Sequence, residues 1–494
     1  MLDKKNLKTI MIKRIFLIIA FLTLCMNVFT QNDVIWKKNF GGNSYDDFLS
    51  ITAVWDGMIA VGYSRKESFE NGDWLGIHNK GNLSDAIIVK YDNYGNVIWR
   101  KNFGGKESSK YYSVVAVSGG YIAVGYSNWT LEVYRCWEIS YVDDEETERK
   151  EICRYAFPGG ADWYGTEGKG GNDAIIVKYD HNGNVVWKKS FGGNNDDSFF
   201  SVTEVSDGII AAGFSEAGSF RTGDWENTEG KGGNDAIIVK FDHNGKVVWK
   251  KNFGGGGGDC FYSTMAVRNG IIAVGVTLVD NTGDWALTPS RETKNAMAVK
   301  YDLKGNVIWK KHIGGDAANM FNSVSATPNG CIAVGYAWKE AFETEDWKEV
   351  PGKGEIDAIM VQYDLNGNVV WKNNFGGKSN DYFYGVTSLN DGFVAVGYSD
   401  YASFNTGDWL EVMPKNDCKS GILVKFDYNG NVIWKKNFGG TVHESFDIFN
   451  AVIAVSDGIV TVGNAMNGFN TGDWLGGVKG KGQGDGIIVK FNCK

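Results

Sequence analysis

The chain has 494 residues, 14% of them aromatic, with 66 glycines and only five prolines, which is ample apolar material for a large core. Its formal net charge of −9 at pH 7 argues against nucleic acid and anionic membranes as partners, because both favour a basic surface. Length alone predicts about three domains, but an internal repeat overrides that expectation.

The first 30 residues differ from the rest of the chain. A basic segment precedes an apolar run over 15–24, and a short polar tail follows it. This order is typical of a secretory signal peptide over 1–30, and the run is too short for a comfortable membrane span. We predict cleavage after Thr30, no membrane insertion of the mature chain, and a secreted or cell-surface location. Cys25 leaves a lipoprotein anchor as an alternative, although Leu24 before it is larger than that processing prefers.

One decapeptide, Asn-Val-Val-Trp-Lys-Lys-Ser-Phe-Gly-Gly at 184–193, has close copies along the whole remaining chain. The tryptophans of these copies are at positions 36, 99, 187, 249, 309, 371 and 434. Successive copies are 60–63 residues apart, except for one spacing of 88. A fixed period of this size indicates an array of one supersecondary unit.

Residues 199–255 show what one unit contains. Four runs rich in Val, Ile, Phe and Trp are bounded by turn residues, which predicts four strands. We label these strands A to D, in the order 199–205, 209–215, 235–241 and 247–255. Asp207-Gly208 is a two-residue hairpin turn between A and B, and an Asp-x-x-Gly turn joins C to D. Each repeat is therefore predicted to be a four-stranded antiparallel meander.

The repeats are out of phase with the ends of the chain. The predicted mature chain starts on a D strand, Val34 to Phe40, and stops on a C strand, Gly486 to Phe491. Seven complete sheets exist only if these two strands pair. The sequence therefore predicts an all-β fold over 31–494, a seven-bladed β-propeller with four-stranded antiparallel blades, whose ring is closed by pairing of the N-terminal strand with the C-terminal strand.

The repeated pattern Ile-Ala-Val-Gly-Tyr-Ser, Asp-Ala-Ile-Ile-Val-Lys-Tyr-Asp and Gly-Asn-Val-Ile-Trp-Lys-Lys-Asn-Phe-Gly-Gly resembles β-propeller repeats of secreted and surface proteins of bacteria. Its Gly-x-Val-x-Trp ending is also similar to the blades of pyrroloquinoline-quinone-type propellers. The resemblance covers 31–494 and implies that A is the inner strand and D the outer one. It implies no activity, because propellers have many unrelated functions. We find no match to the quinone site, so no cofactor is predicted.

With A innermost, the D–A and B–C loops share one side of the ring, which we name the loop face. The A–B and C–D turns share the other side, which we name the turn face. All long connections are on the loop face, so we expect any binding site there.

Two recurring features of the loop face have both a structural and a functional interpretation. An Asp-Trp pair in every B–C loop predicts either packing and turn capping or a ring of sugar-stacking tryptophans. A short hydrogen-bond acceptor also precedes every A strand, at Asp46, Ser109, Asp197, Asp259, Asn319, Asp381 and Asp447. These residues close local turns, or the five aspartates ring the mouth of the channel as candidate ligand- or cation-binding groups.

Repeat 2 departs from the pattern through a longer B–C loop, an insertion over 128–160. Two aromatic runs on either side of an acidic stretch at 143–148 predict a protruding hairpin. Its candidate ligand-binding residues are Trp129, Tyr134, Trp137 and Tyr141, and secretion permits a disulfide between Cys136 and Cys153. A segment that occurs once cannot serve the shared scaffold, so it is either a contact site or a neutral insertion.

The other mature cysteines are Cys260, Cys331, Cys418 and Cys493. No two of them are predicted to share both a face and neighbouring blades, so a disulfide between them is out of reach and we expect them to be free or buried. The five histidines show no metal-site spacing and no pairing with a nucleophile, so no metal site is predicted.

The function that fits these features best is a monomeric, secreted or cell-surface binding module that presents its loop face to a glycan or a protein. The sequence favours a non-enzymatic role and leaves the question open. One alternative is a carbohydrate-active hydrolase or lyase with carboxylates at the channel mouth as acid and base. The other is a structural surface component.

Overall fold

The computed structural model describes residues 33–128, 133–134, 155–156, 162–163, 166 and 168–493. The regular structure of these ranges consists of β-strands and single-turn 3-10 helices. The signal peptide predicted over 1–30 lies outside them. In the described part of the chain, no helix combines the length and the apolar character that membrane crossing requires.

The strands recur in the predicted order A, B, C, D, and we number the repeats 1 to 7 by their A strands. The A strands are β2 (Asp46–Val54), β6 (Ser109–Val117), β12 (Asp197–Val205), β16 (Cys260–Val267), β20 (Asn319–Thr327), β24 (Asp381–Leu389) and β28 (Phe446–Val455). The B strands are β3 (Gly57–Arg65), β7 (Gly120–Ser127), β13 (Gly208–Ser215), β17 (Gly270–Leu278), β21 (Gly330–Trp338), β25 (Gly392–Asp400) and β29 (Gly458–Met466).

The C and D strands complete the repeats. The C strands are β4 (Ser84–Tyr91), β10 (Asp173–Tyr179), β14 (Asp235–Phe241), β18 (Lys294–Tyr301), β22 (Ile356–Asp364), β26 (Lys419–Phe426) and β30 (Asp485–Phe491). The D strands are β5 (Val97–Phe103), β11 (Val185–Phe191), β15 (Val247–Phe253), β19 (Val307–Ile313), β23 (Val369–Phe375), β27 (Val432–Phe438) and, for repeat 7, β1 (Val34–Phe40).

Short 3-10 helices lie in the B–C loops. They span Lys66–Ser68, Gly72–Trp74, Ala217–Ser219, Gly223–Trp225, Gly283–Trp285, Lys339–Ala341, Glu345–Trp347, Tyr401–Ser403, Gly407–Trp409 and Gly472–Trp474. Several end on the tryptophan of the Asp-Trp pair, so this turn fixes the direction in which that side chain leaves the loop. Within the insertion, β8 (Val133–Tyr134) pairs antiparallel with β9 (Tyr155–Ala156).

The strand pairing follows the predicted meander. Repeats 1 to 5 each form a four-stranded antiparallel sheet in the order A-B-C-D. Repeats 6 and 7 instead share one eight-stranded sheet, because a parallel bridge between Lys419 and Phe446 joins strand C of one to strand A of the next. The sequence predicted separate sheets and gave no indication of this bridge.

The bridge is one case of a contact that several repeats make. Isolated parallel bridges of the same kind join Ser84 to Ser108 and Ile356 to Asn380, each from the start of a C strand to the start of the next A strand. A fourth joins Tyr45 of repeat 1 to Gly484 of repeat 7. Repeats 6 and 7 are therefore joined in the same way as other neighbouring repeats. They count as one sheet because both bridged residues, Lys419 and Phe446, lie within strands.

The two ends of the described chain lie side by side. β1 pairs antiparallel with β30, with Trp36 opposite Lys490 and Phe40 opposite Gly486. The N-terminal strand thereby supplies strand D of repeat 7. The backbone N–H of Asn492 also donates to the carbonyl oxygen of Asp33 at 2.7 Å.

Buried apolar side chains fill the spaces between neighbouring repeats. Phe199 and Trp225 of repeat 3 pack with Ile122 of repeat 2, for example. The same type of cluster places Phe48 of repeat 1 against Val460 of repeat 7. Successive strand residues point to opposite faces of a sheet, and the B and C strands are covered on both faces, which explains their continuous Val, Ile and Ala runs.

Every B strand carries a glycine at a close approach to strand A. Gly62 lies opposite a register shift between Phe48 and Ser50, and a Cβ at this glycine would be 1.9 Å from the carbonyl oxygen of Asp47. No larger residue fits unless the backbone moves. A glycine at this position is therefore what the bulge and the close backbone approach require.

The repeated tryptophan of strand D contacts the C–D turn of the following repeat. Trp99 Nε1 donates to the carbonyl oxygen of His181 at 3.1 Å, and the ring lies against Gly183. Trp187 makes the same hydrogen bond to His243 at 3.2 Å. The decapeptide that organises the sequence is thus a connector between repeats.

Candidate functional site

The five aspartates predicted at a channel mouth are closed off from solvent. Asp46, Asp197, Asp259, Asp381 and Asp447 are at most 1% exposed. Each carboxylate accepts a backbone N–H from a glycine that follows strand D, as Gly42 donates to Asp46 Oδ2 at 3.0 Å. The geometry supports local turn closure, and a ligand in solvent has no access to these carboxylates.

In repeats 1, 3, 6 and 7 the tryptophan of the Asp-Trp pair donates to the same buried carboxylate. Trp74 Nε1 lies 3.1 Å from Asp46 Oδ1, and Trp409 Nε1 lies 2.8 Å from Asp381 Oδ1. Ser68 Oγ completes the arrangement in repeat 1 by donating to Asp46 Oδ2 at 2.8 Å. Across the repeats these tryptophans are at most 1% exposed, so their burial excludes the ring of sugar-stacking residues.

Burial also changes the titration of these groups. Loss of hydration raises the pKa of Asp381 and of Asp447 to about 7, against the opposing effect of their hydrogen bonds. A carboxyl group that titrates near neutral pH is a candidate functional group when it lines a cleft. These two line none, and their donors are structural, so we assign them a role in stability.

Repeats 4 and 5 lack part of this arrangement. Trp285 Nε1 and Trp347 Nε1 are buried and have no hydrogen-bond partner within the described residues. In repeat 5 the acceptor is Asn319, whose amide nitrogen donates to the carbonyl oxygen of Ala317 at 2.7 Å. These repeats are therefore natural controls for measuring how much the Trp–Asp hydrogen bond contributes to stability.

The aspartate of each Asp-Trp pair forms an ion pair with a lysine or arginine of the preceding repeat, or, for repeat 1, of repeat 7. The ion pairs are Lys80–Asp162, Lys169–Asp224, Lys231–Asp284, Arg291–Asp346, Lys353–Asp408, Lys415–Asp473 and Lys481–Asp73. Sequence reasoning missed them. The available signal was a basic residue that recurs three or four positions before each C strand.

Most of the insertion lies outside the described residues. This holds for the predicted contact residues Trp129, Trp137 and Tyr141 and for Cys136 and Cys153. Tyr134 is on β8, where it pairs with Tyr155. The contact site and the disulfide in this segment therefore stay predictions.

The other four mature cysteines, Cys260, Cys331, Cys418 and Cys493, are free, as predicted. Within the described ranges, no group of three or more His, Cys, Asp or Glu side chains is arranged to hold a metal ion.

An ionisable cluster that does not recur lies between repeats 1 and 2. Asp47 is 6% exposed and accepts from Asn450 Nδ2 at 2.9 Å. Lys110 Nζ lies 4.0 Å from the centre of the Tyr63 ring. The positions that correspond to Asp47 and Lys110 in the other repeats are Ser198, Cys260, Met320, Tyr382 and Ile448. Because the cluster occurs once, it does not serve the shared scaffold.

The groups of this cluster are weakly hydrated. Burial raises the pKa of Asp47 to about 7, although its hydrogen bonds and the charge of Lys110 oppose the shift. Burial lowers the pKa of Lys110, and the Asp47 charge opposes that shift. Burial likewise raises the pKa of Tyr63. In such surroundings each charge interacts strongly with its neighbours and with any group that enters.

A cleft of ≈ 380 Å³ opens beside the cluster. It is lined by Tyr63, Arg65, Lys110 and Tyr126, together with loop residues such as Leu83. Strand β7 carries Tyr126 and ends directly before the insertion. The cleft is therefore on the loop face and at the base of the segment that distinguishes repeat 2.

Aromatic side chains extend from this cleft along the A and B strands at their loop-face ends. Ring centres are 4.7 Å apart for Tyr112 and Phe200, and 5.5 Å apart for Phe200 and Tyr262. We name the set the aromatic belt, with the members Tyr45, Tyr63, Tyr112, Tyr126, Phe200, Tyr262, Tyr336, Tyr382, Tyr384 and Tyr398. Sequence reasoning missed the belt, although the repeated Gly-Tyr pattern of the B strands supplies four of its members, Tyr63, Tyr126, Tyr336 and Tyr398.

Searches with the sequence find neither a matching family model nor a matching curated protein. Among solved structures, the chain is similar to the WD40 β-propeller domain of Doa1, with a TM-score of 0.40 and 9% identity over 93% of this chain and 98% of that one. It is also similar to Drosophila Plexin A in complex with Semaphorin 1b, with a TM-score of 0.42 and 7% identity over 92% and 87%.

A third similar structure is a lignostilbene dioxygenase from Pseudomonas brassicacearum, with a TM-score of 0.38 and 9% identity over 90% of this chain and 93% of that one. At these TM-scores and identities, no likeness carries an argument about the activity or ligand of this protein. The all-β fold in four-stranded antiparallel units stands on the strand pairing itself.

Proposed function

We propose that the seven repeats are the blades of one closed β-propeller. Three observations support closure: the pairing of β1 with β30, the packing of Phe48 against Val460, and the ion pair of Lys481 with Asp73. The strand pairing has its counterpart in the C–D pair within each other repeat, and the packing and the ion pair have theirs at the junctions between consecutive repeats. An open array would leave the apolar faces of the first and last sheets in water, at a large cost in free energy.

The proposed role is that of a secreted or cell-surface binding module, monomeric, with its ligand on the loop face. The basic and apolar segments before Thr30 support secretion. The net negative charge of the chain supports a ligand other than nucleic acid.

The observation that carries this function is a cleft on the loop face that is lined by Lys110, a residue whose counterparts in the other repeats are not lysines. The cleft continues into the aromatic belt, and Arg65 and Glu67 line its rim. Tyrosine and arginine are enriched where protein interfaces derive most of their affinity, because they offer large contact area together with hydrogen-bonding groups. We therefore infer a protein ligand in preference to a glycan.

The enzymatic alternative has less support. Glycoside hydrolysis requires two carboxyl groups that flank the substrate in an open site. The aspartates first considered for this role, such as Asp197 and Asp381, are buried in hydrogen bonds to tryptophan and backbone groups. Burial raises the pKa of Asp47 to about 7, but its hydrogen-bond partner is the amide of Asn450. The neighbouring carboxylate of Asp46 is buried and accepts from Trp74.

The test is a screen of the purified protein against a yeast-displayed library of extracellular protein domains, with a glycan array in parallel. The dissociation constant of the best displayed binder is then measured for Lys110→Ala and Arg65→Ala. Lys339→Ala is the matched control, since Lys339 is an exposed cation on the loop face of repeat 5. We expect at least tenfold weaker binding for the first two variants and no change for the control.

Equal binding by all three variants would show that the cleft is not the site. If only glycans bind, and Lys110→Ala abolishes that binding, the ligand of this cleft is a glycan and not a protein. Trp129→Ala and Trp137→Ala test the insertion separately, and unchanged affinity in both would remove it from the site.

A further inference from the structure

The turn face, which the sequence predicted to carry only tight turns, has two highly exposed aromatic residues. Trp55 in the A–B turn of repeat 1 is 88% exposed, and Tyr94 in its C–D turn is 76% exposed. The residues at the Trp55 position in the other repeats are Ser118, Ser206, Arg268, Pro328, Asn390 and Ser456. Those at the Tyr94 position are Asn182, Asn244, Lys304, Asn366 and Asn429.

Neither aromatic residue is needed by the fold. The other repeats make the same turns with small or polar residues, and a large ring in water gains nothing from folding. Exposed apolar groups that lie together, unlike those scattered singly, indicate a contact with something outside the chain.

Both rings line one cleft of ≈ 640 Å³ at the junction of repeats 7 and 1. Its walls also include Ile35, which is 47% exposed, and Trp36. The hydrogen bond from Trp36 Nε1 to the carbonyl oxygen of Asn93, at 3.2 Å, fixes the Trp36 ring against the turn that carries Tyr94. The volume is within the range of sites for small ligands, about 300–1,000 Å³.

The charged groups of this cleft neutralise each other. Lys490 Nζ lies 2.7 Å from Asp457 Oδ1, and both side chains line the cleft. The lysine side chain is 7% exposed and the aspartate 62%, so the carboxylate retains room to accept further hydrogen bonds. A charged ligand would find no unpaired counter-charge here. A neutral ligand could still donate hydrogen bonds from its hydroxyl groups to the Asp457 carboxylate.

The geometry points to a neutral oligosaccharide as the ligand of this turn-face cleft. A sugar ring has apolar C–H faces, which stack on flat aromatic side chains such as Trp55 and Tyr94. It also has hydroxyl groups at its edge, which can donate hydrogen bonds to the Asp457 carboxylate. This combination of aromatic walls with a few placed polar groups is what a pocket for such a ligand requires. The site is separate from the loop-face cleft and does not rest on its function.

The experiment is a glycan array probed with the purified full chain, followed by a titration of the best neutral oligosaccharide monitored by intrinsic tryptophan fluorescence. We expect Trp55→Ala and Tyr94→Ala each to weaken binding at least tenfold. Because both residues are highly exposed, the variants should fold, which their circular dichroism checks. Trp338→Ala is the matched control, as Trp338 is 47% exposed on a different repeat, and it should bind normally. Lys110→Ala should also bind normally.

The inference fails if no neutral oligosaccharide on the array binds. It also fails if binding survives both turn-face substitutions, if Trp338→Ala weakens it equally, or if only acidic or basic glycans bind. Loss of binding on Lys110→Ala with none on Trp55→Ala would assign the sugar to the loop face instead. A protein that binds through Trp55 while no saccharide does would overturn the ligand class.

Discussion

Lys481 and Asp73 are 408 positions apart in the chain, and the ammonium group of the first donates to the carboxylate of the second. Lys481 Nζ also donates to the carbonyl oxygen of Asn39 at 2.8 Å. The backbone N–H of Gly41 adds a further donor to Asp73 Oδ2 at 2.9 Å. One side chain therefore holds together the last loop, the N-terminal strand and the first B–C loop.

We predict that Lys481→Met lowers the free energy of unfolding by about 1–2 kcal/mol, since it leaves a half-buried carboxylate without its cation. Urea unfolding followed by tryptophan fluorescence measures the loss. Lys231→Met is the control, because Lys231 makes the equivalent pair with Asp284 between consecutive repeats. Closure of the ring requires similar losses for the two variants. No loss for Lys481→Met, beside a clear loss for Lys231→Met, would contradict it.

The Trp–Asp hydrogen bond should contribute to the free energy of unfolding in addition to the packing of the tryptophan ring. We predict that Trp409→Phe destabilises the protein by about 1–3 kcal/mol more than Trp347→Phe does, because it removes a donor from the buried Asp381 carboxylate. Trp347 is equally buried but has no hydrogen-bond partner among the described residues, so its change to Phe costs only packing. Parallel urea titrations of the two variants near pH 8 make the comparison, and equal losses would refute the prediction.

Stability should fall as the pH rises from about 4 to 7. The folded chain holds the pKa of Asp47 at about 7, above its ordinary value of 3.8, so in this interval the folded state keeps a proton that the unfolded state has released. Asp381 and Asp447 act in the same direction. Protonation of these groups therefore stabilises the fold below pH 4, and the contribution is lost as the pH passes 7.

Asp47→Asn isolates one of these contributions. The amide oxygen of Asn can still accept from Asn450, and the variant has no charge to bury. We predict that its stability relative to the parent rises by about 4 kcal/mol between pH 4 and pH 8, since the pKa of Asp47 is raised from 3.8 to about 7 and one pKa unit corresponds to about 1.4 kcal/mol. Unfolding free energies at several pH values give this difference. A difference that does not change with pH would show that Asp47 is not held protonated.

The free cysteines should differ in reactivity. Burial raises the pKa of the Cys331 thiol to about 12 and raises that of Cys260 further, so neither forms the reactive thiolate at neutral pH. Cys418 and Cys493 are only partly buried. We predict that iodoacetamide at pH 8 labels Cys418 and Cys493 in the native protein, and Cys260 and Cys331 only after unfolding, as peptide mass spectrometry can determine. Native labelling of Cys331 would contradict its complete burial.

The sequence was informative wherever one physical requirement recurs in every repeat. Gly62 is predictable because the backbone of strand A approaches too closely for any Cβ, and the six other B strands repeat that approach. The Trp99 position is predictable because each repeat needs a connector to the next turn. The candidate sites were not predictable in this way. Asp47 and Lys110 belong to different repeats, and no pattern indicates that their charges interact.

The period of about 60 residues and the alternation of turns and apolar runs were enough, by themselves, to determine the four-stranded units and their order, because strand formation and turn chemistry act over a few neighbouring residues. Only the tertiary structure decided which polar groups lie inside. It buried the five aspartates, four of them in hydrogen bonds from tryptophans, paired lysines with aspartates across repeats, and left Trp55 and Tyr94 in water. Burial and side-chain contact depend on residues hundreds of positions apart, and a repeat pattern describes what the units share rather than how they differ.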